Sequence, residues 1–485
     1  MPIPIRKFSS LFLMLSLCCF FIACKKDPIL TEGGQVRFSV DTVLFDTVFT
    51  NQGSATRSLK IFNPQKERVE IKSIRLKQGD QSPFTINING TSGKSVQNVK
   101  LAGNDSLWVF SSVFIDPTNE DNPFIISDEL IVTLNDQEFS IPFFAYGQNA
   151  YYIVDSVLQT QTWGNNRPYV IMRNALVDAH QTLTINAGAR VYVHQDSRLF
   201  VLGNLKINGT ATDTVVFQGD RLDPLVWIGD YIDIPGQWGG LYFFKESYGN
   251  EIHYAIFKNG GASTNFLGNT VQAATIQVDK DTVQNGIPKL LLTNSVIRSS
   301  QGYGILSFGG SIQAENCKIV ECGGENVMAF EGGHYRFYDC TIATFGSTYL
   351  NHASGNSVVM GLLNYLPTGQ NTYQSAALDA ELKNCIVYGS LENELICDAK
   401  NDHPASILLD HCLIRSVEAL PNWVQQNNLL LNQDPLFTDY LGNDHHLKEG
   451  SPAIQAGIQA GNLNTDLDGK PRQMPPSMGC YEWWP

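Results

Sequence analysis

The chain has no hydrophobic run long enough to stay in a membrane: the stretch from Leu11 to Ala23, broken only by Ser16, is about 13 residues, short of the ~20 a spanning helix needs. Positive charge is scarce too. With 33 Lys and Arg against 47 Asp and Glu, a net charge of −14 and no basic stripe, the chain is a poor ligand for nucleic acid or an anionic bilayer surface. No Cys-x-x-Cys pair is present, which removes the commonest thiolate zinc sites. Helix signals are few, whereas Gly, Asn, Thr, Val and Ile abound, so the expected class is all-β.

What is there begins with a secretion signal. Arg6 and Lys7 precede the apolar run, and Cys24 closes it, followed at once by Lys25, Lys26 and Asp27. The box Phe21-Ile22-Ala23-Cys24 resembles that of bacterial lipoproteins, with Phe21 in place of the usual leucine. The resemblance implies cleavage after residue 23, diacylglycerol on Cys24, and a Gram-negative envelope protein held on the outer membrane by its acyl chains. At roughly 0.8 kcal/mol per buried methylene, two or three chains anchor permanently. Lys25, Lys26 and Asp27 look like a short surface-export signal. Loss of Arg6 and Lys7 takes the net charge from −14 to about −16.

The second half repeats one short phrase: Asn294-Ser295-Val296-Ile297, Asn316-Cys317-Lys318-Ile319, Asp339-Cys340-Thr341-Ile342, Asn384-Cys385-Ile386-Val387 and His411-Cys412-Leu413-Ile414. At the small second residue the steps are 22, 23, 45 and 27 residues, the third about twice the usual step. A repeat one strand long means one coil of a solenoid, here with some coils looped out. Earlier, Leu183-Thr184-Ile185-Asn186 and Leu205-Lys206-Ile207-Asn208 match at a step of 22, and alternate apolar residues mark about three short strands per coil. Residues 180–440 then hold roughly 11 coils, and the crossover preference makes them right-handed. Departures at 218–237, 261–288 and 343–380 are excursions where specificity would reside.

Seven cysteines remain after the signal and Cys24 are set aside: 317, 322, 340, 385, 397, 412 and 480. The number is odd, and four occupy one repeat position, where parallel side-chain vectors suit disulfides badly. Buried free thiols are expected. From Val36 to about Gln148 the pattern changes to some seven strands separated by turns, among them Leu59–Phe62, Val69–Ile74 and Leu130–Leu134, which predicts an immunoglobulin-like sandwich. With Phe45, Gly53, Asn63, Phe84 and Ala145-Tyr146-Gly147 it resembles spacer or docking domains of cilia-associated and bacterial surface proteins. The expected division is 1–23 signal, 24–35 lipidated tether, 36–150 sandwich, 151–440 β-helix and 441–485 capping segment.

The phrases Gly203-Asn204-Leu205, Val216-Phe217-Gln218-Gly219-Asp220 and Trp238-Gly239-Gly240-Leu241 accompany the repeats. The tail carries Asp434-Pro435-Leu436-Phe437, Gly450-Ser451-Pro452-Ala453, Asp466-Leu467-Asp468-Gly469-Lys470-Pro471-Arg472 and Gly479-Cys480-Tyr481-Glu482. Together they resemble the pectate-lyase-like, single-stranded right-handed parallel β-helix superfamily, including surface proteins with a choice-of-anchor tail. Gln455 and Met478 stand where aspartates are common in that tail. The superfamily's polysaccharide-cleaving members use calcium with an arginine base, or aspartates and a histidine. Their hydrolase phrases are missing here: Asn464-Thr465-Asp466 lies in the tail and Gly333-His334 runs on to Tyr335.

Several residues remain as candidates. Asp466 and Asp468 before Gly469 would suit calcium, a hard cation drawn to clustered carboxylates; the competing reading is a capping turn over the last coil, with Arg472 paired to an aspartate and His445 and His446 packing on it. The loops offer Trp227, Asp230, Tyr231 and Trp238 in the first excursion, and Tyr349, Tyr365 and Tyr373 in the third. Flat rings beside carboxylates suit sugars, although the same rings would also pin long loops to the rod. No cofactor is otherwise implied. The expectation is a lipid-anchored scaffold binding a polysaccharide or other cell-surface ligand; a divergent polysaccharide lyase or glycoside hydrolase, or a purely structural surface protein, are the alternatives.

Overall fold

The computed structural model describes residues 28–222, 224–225, 229–283, 286–353 and 357–485; Cys24, Trp227 and the signal lie outside the described residues. The chain divides after Gln148 into two compact units. The first is a β-sandwich of one six-stranded and one five-stranded sheet. Strands alternate apolar and polar residues, so that one face of each sheet is buried: Leu59 and Ile61, Phe84 and Ile86, Val109 and Val113 point inward. Three rings at the centre, Phe45, Phe84 and Phe143, lie 5.4 to 6.2 Å apart. In the strand Arg68–Leu76 the buried set is Val69, Ile71, Ile74 and Leu76, a slip of one residue that accompanies a register shift against Thr133 and Leu134. Ile29–Leu30, read from sequence as tether, adds a short parallel strand beside Arg68 and Val69.

The second unit is a parallel β-helix. Its first sheet ascends from Arg190–Val193 through Val296–Ser300, Lys318–Cys322, Thr341–Thr344 and Ile386–Gly389 to Leu430–Leu431. The second runs from Arg198–Val201 through Ala274–Val278, Tyr303–Phe308, Val327–Phe330 and Met360–Leu363 to Leu395–Asp398. Tyr169–Val177 pairs with the start of both, merging them into one 18-stranded sheet. The third sheet has ten strands, from Gln161–Trp163 to Val424–Asn427, one to each of ten coils among the described residues.

Register places Ser295, Cys317, Cys340, Cys385 and Cys412 above one another, each one residue before a paired position, and all are buried. The seven thiols are free. The residue before each, Asn294, Asn316, Asp339, Asn384 and His411, has φ between 49° and 54°. Asn and Asp tolerate this left-handed conformation better than most side chains, which explains the recurring amide. The amides also bond along the stack, Asn316 Nδ2 donating to Asn294 Oδ1 at 3.1 Å and Asn384 Nδ2 to Asp339 Oδ1 at 2.9 Å.

Three expectations change. The long step from Cys340 to Cys385 is a single coil, because Thr341 pairs directly with Ile386. The excursion read at 343–380 is two, separated by the core strand Met360–Leu363, and that at 261–288 is likewise divided by Ala274–Val278. The tail does not cover the last coil. It lies along the outer face of the first sheet, where Phe437, Leu447, Ala453 and Met478 cover Val320, Ala343, Ile386 and Leu413. Strands 341–344 and 386–389 are thus buried on both faces, and Lys318, an outward residue, is enclosed with its amine donating to Asn443 O and Tyr481 Oη at 3.1 Å. Leu420, Trp423 and Leu429, in and around the last coil, pack against the core instead.

Candidate functional site

Two excursions leave the rod at the same corner, between the second and third sheets: residues 279–289 and the hairpin built on Tyr365–Pro367 and Tyr373–Ser375. The coils between them turn tightly on Gly309-Gly310 and Gly332-Gly333. A Cβ on Gly332 would lie 2.3 Å from Ala377 O, and one on Gly333 2.3 Å from Gly310 O, so only glycine lets these turns stack. Long walls over a low floor make a cleft of about 520 Å³. Lys280 and Asp281 line one side, Ala376 and Ala377 the other, with Glu331 at the floor and His334 and Arg336 rising from the third sheet.

The two ends of the wall 279–289, Asp279-Lys280 and Lys289, are held from below. Lys289, fully buried, donates to Lys280 O at 3.0 Å, and burial lowers its pKa to about 8 against the pull of Asp279 and Asp281. The Tyr242 hydroxyl donates to Asp279 at 2.7 Å. Charges in the cleft are mostly paired: Lys280 with Glu331 at 3.6 Å, His334 with Asp379 at 3.5 Å, and Arg336 with Asp379 at 2.5 Å and Glu381 at 3.6 Å. Partial burial would raise Asp379, but the bonds and charges of Arg336 and His334 prevail and hold it below the usual carboxylate range.

The hairpin carries two of the expected aromatics, packed toward Asp398 and Lys400 of the next coil and not among the residues that line the cleft. Tyr365 and Tyr373 meet edge to face at 5.9 Å, with the Lys400 amine 4.2 Å from the first ring and 5.9 Å from the second. Tyr365 donates to Asp398 at 2.6 Å, and burial together with that bond raises its pKa to about 12. The other candidates lie elsewhere. Tyr231 and Tyr349 belong to excursions at the corner between the first and second sheets, Tyr231 beneath the Arg221 guanidinium at 4.3 Å. Of Asp230 only the backbone is described. Trp238 is removed as a surface ligand: it is 0% exposed, stacks near Phe217 and donates its indole N–H to Lys258 O at 2.9 Å.

Loops are pinned by charged groups as well as by rings such as Phe266, 4.0 Å from Phe200. Arg198, fully buried, donates to Thr264 Oγ1, Ala262 O, Gln272 O and Ala274 O and so holds the excursion 259–273. Glu394, also buried, accepts from Val359 N and Leu391 N and contacts His352 Nε2 at 3.0 Å.

Asp466 and Asp468 do not fit a calcium ion. Asp466 is buried and its two oxygens accept the amides of Lys470 and Glu482 at 2.8 and 2.9 Å. Asp468 bonds His446 at 3.0 Å and Lys470 at 3.1 Å, contacts that lower its pKa to about 2. Arg472 is paired with an aspartate, but that residue is Asp339 of a coil turn, at 3.8 Å. Sequence reasoning passed over Lys280, Glu331, His334 and Arg336. The available signal was charge at alternate positions of Gly333–Tyr338, matched one coil later by Asp379 and Glu381.

No protein-family model matches this chain, and no curated protein matches it by sequence. Among solved structures, a family 123 glycoside hydrolase from Clostridium perfringens aligns over 26% of this chain and 26% of its own, at 10% identity and a TM-score of 0.18. The chain thus spans about a quarter of that enzyme. A PapD-like domain of human CEP192 aligns over 26% of this chain and 94% of its own, at 11% identity and a TM-score of 0.17. The catalytic domain of a GH87 α-1,3-glucanase aligns over 77% of this chain and 87% of its own, at 9% identity and a TM-score of 0.15. Likenesses this weak carry nothing about activity.

Proposed function

We propose that the β-helix is a glycan-binding scaffold of the bacterial envelope, tethered through acylated Cys24, with its ligand in the cleft between 279–289 and the Tyr365–Ser375 hairpin. The observation that carries this reading is the cleft itself, about 520 Å³ with a glycine floor and a row of polar side chains. Ligand sites are concave, largely pre-formed and furnished with a few placed polar groups. Binding is favoured over cleavage because Glu331 and Asp379 are ion-paired. Hydrolysis of a glycosidic bond needs one carboxyl kept protonated near neutrality, and Asp379 is shifted the other way.

The test incubates the mature chain with plant, algal and host polysaccharides, measuring binding by calorimetry and cleavage by new reducing or unsaturated ends. Binding without cleavage, weakened about tenfold or more in Lys280→Ala and His334→Ala, is expected. Turnover would establish the enzyme reading, and no binding at all the structural one. In the same cells Cys24→Ser should abolish acyl labelling and release the protein from the membrane fraction; a variant that stays bound removes the anchor.

A further inference from the structure

The outer face of the five-stranded sheet in the first unit carries exposed aromatic rings. Trp108, Phe110 and Phe114, at outward positions of one strand and its continuation, are 40%, 44% and 51% exposed. The rings of Trp108 and Phe110 lie within 19° of parallel, with centres 6.1 Å apart. Beside them is a shallow hollow of about 330 Å³ lined by Thr56, Thr85, Asn87, Ser92, Phe110 and Ser112. The hydroxyls of Thr56, Ser92 and Ser112 make no hydrogen bond within the described residues. Asn87 accepts from Gly90 N through Oδ1, which leaves its NH₂ free to donate.

In a chain of net charge −14, no outward position of these five strands holds a carboxylate. We propose that this face is a second ligand site, a platform for an uncharged glycan strand, independent of the β-helix cleft. Exposed rings present the flat apolar surface on which the C–H face of a pyranose stacks. The free hydroxyls and the amide supply donors and acceptors for sugar hydroxyls, which need partners when desolvated. Charge selects the ligand. An anionic polymer is repelled by the chain as a whole and a cationic one is drawn to its acidic surfaces, whereas Lys60, the cation of this face nearest the rings, already has its amine 4.4 Å from the Trp108 ring. A peptide strand would seek a free sheet edge, but the strand bearing the rings is paired on both sides.

The experiment titrates the mature chain with cellohexaose, xylohexaose and mannohexaose by calorimetry, comparing wild type, Trp108→Ala/Phe110→Ala and the cleft variant Lys280→Ala. At least one hexasaccharide should bind, with affinity lost about tenfold or more in the double variant and kept in the cleft variant. Thermal unfolding of the double variant should match wild type, because both side chains are substantially exposed. Equal affinity in the double variant, no hexasaccharide binding, or self-association of wild type in sedimentation that the double variant abolishes, would each overturn the proposal. The last would make the occupant a second copy of the chain. Failure of the cleft reading is read separately, in the polysaccharide panel, as binding that Lys280→Ala and His334→Ala leave unchanged.

Discussion

Replacing Asp339 by asparagine should make the protein more stable at neutral pH and flatten its dependence on pH. Asp339 stands in the turn column where Asn294, Asn316 and Asn384 occupy other coils, and the tail lies over it. Burial raises its carboxyl from 3.8 to about 7; Arg472 at 3.8 Å and the Asn384 amide oppose the rise, while Cys340 and Glu315 add to it. The folded state therefore holds a proton that the unfolded chain releases near pH 4, so stability falls as pH rises from about 4 to 7. Between pH 5 and 7 this one group should cost roughly 2 kcal/mol, at about 1.4 kcal/mol per pH unit with half-ionisation reached at the upper end. In Asp339→Asn the amide oxygen still accepts from Asn384, and Arg472 keeps its bonds to Asn316 Oδ1 and Gly479 O. Guanidinium unfolding of wild type and variant at pH 5 and 7 should show the variant gaining about 1–2 kcal/mol more at the higher pH. A variant less stable at both values, with an unchanged pH slope, would mean that the carboxylate is ionised and held by Arg472.

Two further outcomes follow from buried groups. Arg198→Met leaves four acceptors unpaired, so at about 1 kcal/mol each denaturant unfolding should show a loss of about 3 kcal/mol or more, with new proteolytic cuts in 259–273; an unchanged midpoint would contradict the role given to the guanidinium. The thiols at 317, 322, 340, 385, 397, 412 and 480 are all buried, and burial raises Cys397 and Cys480 to about 12, far from the reactive thiolate. Ellman's reagent should find none of these seven in the native protein and all seven in guanidinium without reductant; fewer in guanidinium would reveal a disulfide.

The recurring Asn-Cys-x-Ile phrase was enough to establish a parallel β-helix, because one turn residue in the left-handed region, one small interior residue and one inward apolar residue recur in every coil at fixed offsets. That is local chemistry, and a sequence displays it directly. The free-thiol column and the β class of the first unit were legible for the same reason. Sequence alone could not say that 340 to 385 is one coil, because a core strand such as Met360–Leu363 is four residues long and carries no phase relation to its neighbours until it pairs. Nor could it separate Trp238, enclosed by Phe217 and Lys258, from the half-buried Tyr365 at the surface, since both are rings at the ends of loops. The cleft and the lateral tail were decided by tertiary structure. Each brings together residues far apart in the chain, Lys280 with Glu331 or Lys318 with Tyr481, and those distances are set by stacking of coils in the first case and by lateral packing of the tail in the second.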